Sequence, residues 1–288
     1  MPKKKRRLGA HTSIAGSLDN SAREAIELGC SCFQIFTRSP RMWQTPPLER
    51  RQIEGLKRLR KQHDLWPLAV HGSYLINLAA LDEANRDKSI QGFRDEVQRA
   101  IAVGADYLVF HPGSAKGQER ESAIAVLAES FAKAVEGVDW DGLEVLLENT
   151  AGGGNSLGRT FEELAAARAA IRAEAPGAPV GYCIDTCHLF AAGYEISTAA
   201  GLNETLRAID AATGLEHVKL VHTNDSKAKF GSHLDRHENI GEGQIGLEAF
   251  RRIVNHPALR GKPFILETPR GEDGTHRRNT ETLKTLAQ

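Results

Sequence analysis

In YLVFH, residues 107–111, a run of β-favouring apolar residues ends on a histidine. The same shape recurs along the chain: RRLGAH ends at position 11, CFQIF at 36, LAVH at 71, LEVLLE at 148, GYCID at 185, VKLVH at 222 and PFILE at 267. Short runs rich in Val, Ile, Leu and Phe read as buried strands, and the longer amphipathic or alanine-rich segments between them read as helices. LERRQIEGLKRLRKQH at 48–63, FRDEVQRAIAVG at 93–104 and TFEELAAARAAIRA at 160–173 are three of these predicted helices. Gly104 stands where a C-terminal cap belongs, and Thr160 with Glu163 forms a capping-box pattern. Eight strand–helix units in 288 residues, with no linker or break in composition, predict an α/β fold: a closed (β/α)₈ TIM barrel forming a single domain over residues 1–288. A doubly wound open sheet is the second reading of the same pattern.

Hydrophobic residues make up 41% and charged residues 26%, which fits a globular chain rather than a disordered one. No apolar run approaches the roughly 20 residues that span a bilayer, and MPKKKRR at the start leads into LGAHTS rather than a signal-peptide core. No membrane partner is therefore expected, and the predicted location is cytoplasmic. Residues 1–6 read as a flexible basic tail, for which a nuclear address is the alternative. The 37 basic and 37 acidic residues balance, so net charge alone does not point to a nucleic-acid partner. Cys30, Cys32, Cys183 and Cys187 lie in the apolar segments CSCFQIF and GYCIDTC and are expected to be reduced packing residues, because their spacing does not match a zinc knuckle.

In a barrel the C-terminal ends of the strands share one rim, where barrel enzymes hold their active sites. Six of the runs end there in a side chain able to bind a metal: His71, His111, Glu148, Asp185, His222 and Glu267. One such residue at a strand end is ordinarily a hydrogen-bonded or solvated cap. Six around one cavity would repel one another or lie desolvated without a cation, which predicts a multinuclear metal site. Imidazoles and carboxylates without a thiolate suit zinc, with manganese or iron as alternatives. HLDRHENIGEG at 233–243 sets Asp235 and His237 two residues apart, so an extended backbone points both the same way. With His188, three residues after Asp185, they add an N/O/N triad to the strand-end groups, and nine ligands require more than one ion. His233 and the other surface histidines read as solvated.

GAHTS, FTRSPRMW, HGSYLINLA, FHPGS, LLENTAGGG, CIDTCHLFAAGY, HTNDSKAKFGSHLDRHENIGEG and ILETPRG together resemble the endonuclease IV family of zinc-dependent apurinic/apyrimidinic endonucleases. The resemblance covers essentially the whole chain and implies a (β/α)₈ barrel carrying three zinc ions. Matching motifs assign His71, His111 and Glu148 to the first ion. Glu148 as a bridge, with Asp185, His222 and Glu267, serves the second, and His188, Asp235 and His237 the third. The implied activity is hydrolysis of double-stranded DNA on the 5′ side of an abasic site, leaving a 3′-hydroxyl and a 5′-deoxyribose phosphate, together with trimming of blocked 3′ ends. Glu148 and Glu267 are the expected catalytic carboxylates, Glu267 by orienting the nucleophile. Three zinc ions against four carboxylates and one hydroxide leave a single positive charge, which matches one phosphodiester.

Arg41, Tyr74 and Leu75 resemble the family's DNA-penetrating residues, where a cation meets phosphate and apolar side chains replace lost stacking. Lys227 and Lys229 read equally as backbone contacts or as a solvated pair, and His11 as a contact behind the ligands or to phosphate. The family also implies a monomer. Metal-dependent sugar isomerases and epimerases on the same barrel are the enzymatic rivals, and a non-catalytic damage-binding module is the rival from another class. An isomerase has no use for the triad of His188, Asp235 and His237.

Overall fold

The apolar runs form β1 (Leu8–His11), β2 (Cys32–Ile35), β3 (Leu68–His71), β4 (Tyr107–Phe110), β5 (Glu144–Glu148), β6 (Val180–Asp185), β7 (Val218–His222) and β10 (Phe264–Leu266). The computed structural model describes residues 6–271 and 274–287, and in it these strands close into a parallel barrel of order β1-β10-β7-β6-β5-β4-β3-β2. A separate antiparallel pair, β8 (Asp225–Ser226) and β9 (His237–Glu238), lies in the connection after β7. Closure excludes the doubly wound alternative. Among the described residues no helix is long and apolar enough to cross a membrane.

The helices follow the strands, including α2 (Arg50–His63), α3 (Glu83–Val103), α5 (Phe161–Glu174) and α6 (Thr186–Ala192). The helix expected at 93–104 begins ten residues earlier, at Glu83, because Asp82 caps it through the Asn85 amide. Its polar first turns carry no apolar stripe, so hydrophobic periodicity could not reveal them. Gly104 caps the far end in the left-handed conformation, φ 68°, as expected. The capping box at Thr160 is half formed. Thr160 accepts from the Glu163 amide, but the Glu163 carboxylate takes the Gly158 and Arg159 amides instead of reaching back to Thr160. Of the expected basic tail, residues 1–5 lie outside the described residues, and the Arg6 guanidinium donates to Val254 O at 2.6 Å and Asn255 Oδ1 at 2.7 Å.

The barrel interior positions the site. Cys32, Ala69, Val109, Leu146, Cys183, Leu220 and Ile265 form one fully buried apolar cluster, with Gly9 in register beside Cys32 and Ile265. Side chains alternate across a strand, so the residue two positions further along each strand also faces inward, one step nearer the rim. Those residues are His11, Gln34, His71, His111, Glu148, Asp185, His222 and Glu267. The apolar layer therefore forms a dry floor directly under a polar ring. The four cysteines are free and buried, as expected, and two of them belong to this floor.

Gly9 is required by close approach: a Cβ there would lie 1.8 Å from the Cys32 carbonyl oxygen. Gly9→Ala must push β1 away from β2, and is expected to destabilise the chain by about 1–3 kcal/mol in urea denaturation. An unchanged midpoint would contradict this packing.

Candidate metal centre

Eight inward side chains from eight different strands converge at the C-terminal rim. Glu148, Asp185 and His222 are fully buried, and His71 is nearly so. Glu148 is shared: its Oε2 lies 3.2 Å from both His71 Nε2 and His111 Nε2, while its Oε1 lies 2.9 Å from His222 Nδ1. His71, His111 and Glu148 thus form one group of converging ligand atoms, and Glu148, Asp185, His222 and Glu267 form a second. Beside them His188 Nε2 lies 3.2 Å from Asp235 Oδ2, and His237 Nε2 lies 3.3 Å from Asp235 Oδ1. All nine residues singled out in the sequence are brought together. The third set is grouped differently from the expectation: Asp185, His188 and His237 converge, and so do Cys187, Asp235 and His237, so that His188 and Asp235 meet as a pair but fall in separate groups, and the Cys187 thiol stands beside Asp235.

The imidazoles are oriented by bonds on their outer nitrogens. His71 Nδ1 contacts Gly72 O at 2.8 Å, His188 Nδ1 contacts Asn149 O at 2.9 Å, and His237 Nδ1 contacts Glu267 O at 3.2 Å. A carbonyl only accepts, so each of these nitrogens carries the hydrogen. In the neutral ring the opposite nitrogen then presents a lone pair toward a carboxylate oxygen, and two acceptors face each other. A cation between them resolves the conflict, and a divalent metal is the group these donors suit. His237 Nε2 is buried with no hydrogen-bond partner among the described residues, as a ligand atom would be. The residues present fit a metal.

Electrostatics agree. Burial opposes charge on Glu148, but facing His222 and His111, with hydrogen bonds from His111 and His188, hold its carboxyl well below the usual range. Burial likewise opposes a charged His188, yet Asp185, Asp235 and Glu148 hold the imidazolium well above its ordinary value. Burial lowers His11, and this outweighs the raising effect of Glu267. The cluster therefore retains positive charge between its carboxylates, which protons supply when no metal does.

Three amide side chains that the sequence reading passed over hold the ring in place. Gln34 Nε2 donates to Glu267 Oε1 at 2.6 Å and meets His11 Nδ1 at 3.1 Å, while its Oε1 accepts from His222 Nε2 at 2.8 Å. The second apolar run reads to Phe36 in the sequence; β2 stops at Ile35, and its inward residue is Gln34. Asn149 takes the Asp185 amide on Oδ1 at 2.7 Å. Asn224 donates to Asp185 Oδ2 at 2.5 Å and accepts from the Glu267 amide at 2.7 Å. Both asparagines stand next to or near a ligand, in LENT and HTND, and that adjacency was the available signal.

Around the rim, Tyr74 is exposed and its ring lies 5.7 Å from His71 and 6.5 Å from His111, centroid to centroid. Leu75 beside it is half-buried, and Arg41 is exposed. The loop bearing Arg41 is fixed by the other arginine of RSPR, because buried Arg38 pairs with Glu96 at 2.8 Å, and Ser73 Oγ donates to Pro40 O at 2.8 Å. Lys227 and Lys229 are exposed on the β7–β9 connection. His233 is not simply solvated. It is half-buried at φ 57° with Nδ1 on Ala151 O at 3.1 Å, and it joins none of the ligand groups. His11 faces the ring, with Nδ1 3.8 Å from Glu267 Oε1.

Residues 22–286 match the family model described as Xylose isomerase-like TIM barrel. A curated relative from Solibacter usitatus, named "Probable endonuclease 4", is 53% identical over 281 residues, covering 98% of this chain and 97% of its own. The crystal structure of endonuclease IV from Thermus thermophilus superposes with a TM-score of 0.84 at 37% identity, covering 97% of this chain and 98% of that one. A D-tagatose 3-epimerase-like protein superposes with a TM-score of 0.69 at 20% identity over 97% of this chain and 96% of that one, which shows a common fold and no more. By the identity and coverage of the first matches, the chain belongs to the endonuclease IV family.

Proposed function

We propose that this chain is a DNA-repair phosphodiesterase that incises double-stranded DNA on the 5′ side of abasic sites, leaving a 3′-hydroxyl and a 5′-deoxyribose phosphate, and that also trims blocked 3′ ends. The observation that carries the reading is the set of nine convergent ligand residues in which buried imidazole nitrogens face carboxylates. His71, His111 and Glu148 would hold one ion, Glu148, Asp185, His222 and Glu267 a second, and His188, Asp235 and His237 a third. Zinc suits this donor set, with manganese or iron acceptable at some positions. Bound divalent ions supply Lewis acidity toward a phosphodiester and bring the pKa of water to about 7.

The protein's own part is placement. Glu148 offers one carboxylate oxygen to each of two ligand groups, which sets their separation. Glu267, held by Gln34 and the Asn224 carbonyl through its amide, presents its carboxylate toward the reacting phosphate and orients the nucleophile. The apolar floor of the barrel keeps bulk water from approaching the ring from below. Tyr74 and Leu75 stand beside His71, where an apolar face can replace the stacking that a missing base has removed, and Arg41 meets the backbone. His11 supports Glu267 from behind. Damaged double-stranded DNA is thus the partner, a monomer suffices because one chain supplies every ligand, and the location follows the DNA.

The epimerase reading has only the shared barrel in its support, and leaves the His188, Asp235 and His237 group without a task. The deciding experiment is incision of a labelled duplex containing one tetrahydrofuran abasic analogue, beside an undamaged duplex, with and without chelator. A chelator-sensitive cut immediately 5′ to the analogue, leaving a 3′-hydroxyl, is expected. An intact analogue strand with fully metal-loaded protein would overturn the reading.

Tyr74→Ala should lower kcat/KM on that duplex by roughly 10- to 100-fold, as expected from about 1–3 kcal/mol of lost stacking, with metal content unchanged. Loss of metal from this variant would show instead that the ring supports the ligands. Gln34→Leu removes the bonds to His222, Glu267 and His11 at nearly constant volume. It should weaken metal retention roughly 10- to 100-fold in chelator competition, while the far-ultraviolet circular dichroism stays unaltered.

A further inference from the structure

Asp225 is fully buried, yet no ion pair to it is present among the described residues. Among the described residues its carboxylate accepts hydrogen bonds from backbone N–H groups alone. Oδ1 accepts from Ser226 at 2.8 Å and Ile245 at 3.0 Å, and Oδ2 accepts from Gly241 at 2.9 Å, Gly243 at 3.1 Å and, more weakly, Gly246 at 3.4 Å. Charge-assisted bonds of this kind are stronger than neutral ones, and a ring of amides is a known way to hold an anion without a counterion. The site leaves no space to spare: a Cβ on Gly243 would lie 2.5 Å from Asp225 Oδ1 and 2.5 Å from Ser226 O.

Between the two ends of this clamp runs the excursion that carries Asp235 and His237. The strands at its base pair over only two residues each, Asp225 with Glu238 and Ser226 with His237. A two-residue antiparallel pair does not hold its register unaided. The Gln244 amide on Ser226 O at 2.7 Å and the Lys227 amide on Arg236 O at 2.9 Å close the same turn. Asp235 is itself exposed, with its carboxylate aimed inward at His188 and His237. A small shift of the excursion would separate the three.

We propose that Asp225 is the positioning residue of the third ligand group: by gripping the amides of residues 226 and 241–246 it holds Asp235 and His237 over His188. This rests on the proposed reading that the triad holds an ion. It also accounts for Gly243 of GEGQIG, where a Cβ would collide with the carboxylate, whereas Gly241 and Gly246 answer to their left-handed backbone at φ 86° and 83°. The six ligands at the strand ends do not depend on Asp225, because the barrel register fixes them.

The test uses Asp225→Asn, which puts amide hydrogens where the clamp needs a second acceptor. Wild-type and variant chains are stripped, reloaded with zinc alone and assayed for bound ions, and amide exchange is followed at Gly241, Gly243 and Ile245. The wild type is expected to hold three ions. The variant should hold two, with affinity for the third reduced at least roughly tenfold, and the three amides should lose protection. Adding His237→Ala to Asp225→Asn should weaken the third site no further than His237→Ala alone. Retention of the third ion at wild-type affinity, or loss of all three in step, would overturn the assignment. If the wild type holds fewer than three ions, the three-ion reading fails separately. Exchange in the metal-free chains then decides the clamp, upheld by lost protection and overturned by unchanged protection. If Asp225→Asn does not fold, Gly243→Ala, which forces a methyl group against the same carboxylate, is read in the same way.

Discussion

Alternation of side chains along a β-strand is the constraint on which this molecule depends. Because successive residues face opposite sides, an inward residue fixes the one two positions later as inward too. In every strand of this barrel that rule couples a small or aliphatic floor residue to a polar rim residue: Cys32 to Gln34, Ala69 to His71, Leu146 to Glu148, Leu220 to His222. The floor and the ring cannot be adjusted independently. A slip of one residue in any strand would turn a rim residue outward and bring the opposite face of that strand into the site.

The ring is costly by itself. Burying Glu148 and Asp185 among imidazoles disfavours folding unless each oxygen and nitrogen finds a partner. Beside the imidazole–carboxylate pairs of the ring itself, the chain meets that demand with neutral amides. Gln34, Asn149 and Asn224 each offer a donor and an acceptor: Gln34 and Asn224 hold carboxylates and an imidazole, and Asn149 holds the Asp185 backbone, without adding charge to compete with a metal. Backbone carbonyls serve the outer nitrogens of His71, His188 and His237. What stays unresolved is confined to the centre, where lone pairs face lone pairs and only a cation relieves them.

The two parts of the site differ in how they are held. The strand-end ligands inherit their positions from the barrel, which is rigid through its closed ladder. Asp235 and His237 come from a long connection and depend on local bonds made by Asp225 and the glycine-rich turn. Loops tolerate change that strands do not, so this connection is where barrel relatives of different chemistry are free to diverge. The D-tagatose 3-epimerase-like protein shares the barrel at 20% identity, which shows the common frame alone.

How much was legible in the sequence follows from the range of each interaction. Strands, helix caps such as Gly104 and the ligand residues were readable, because apolar runs, capping residues and motifs such as HTND and CIDTCH are local patterns. The early start of α3 was not, since its first turns are polar and only a cap reveals them. Gln34 was missed although it lies in the middle of CFQIF, because a glutamine inside an apolar run looks like an interruption until closure shows that it faces His222 and Glu267 from a different strand. Residue types and their spacing along the chain therefore determined by themselves the fold class and the set of candidate ligand residues that the barrel brings together. Which nitrogen of each histidine turns inward, which carboxylate is shared, and what holds Asp235 and His237 in place were decided only by tertiary structure. The first two properties belong to contacts between strands up to 188 positions apart, which exist only once the barrel has closed, and the third to a turn that folds back on Asp225 from as far as 21 positions away.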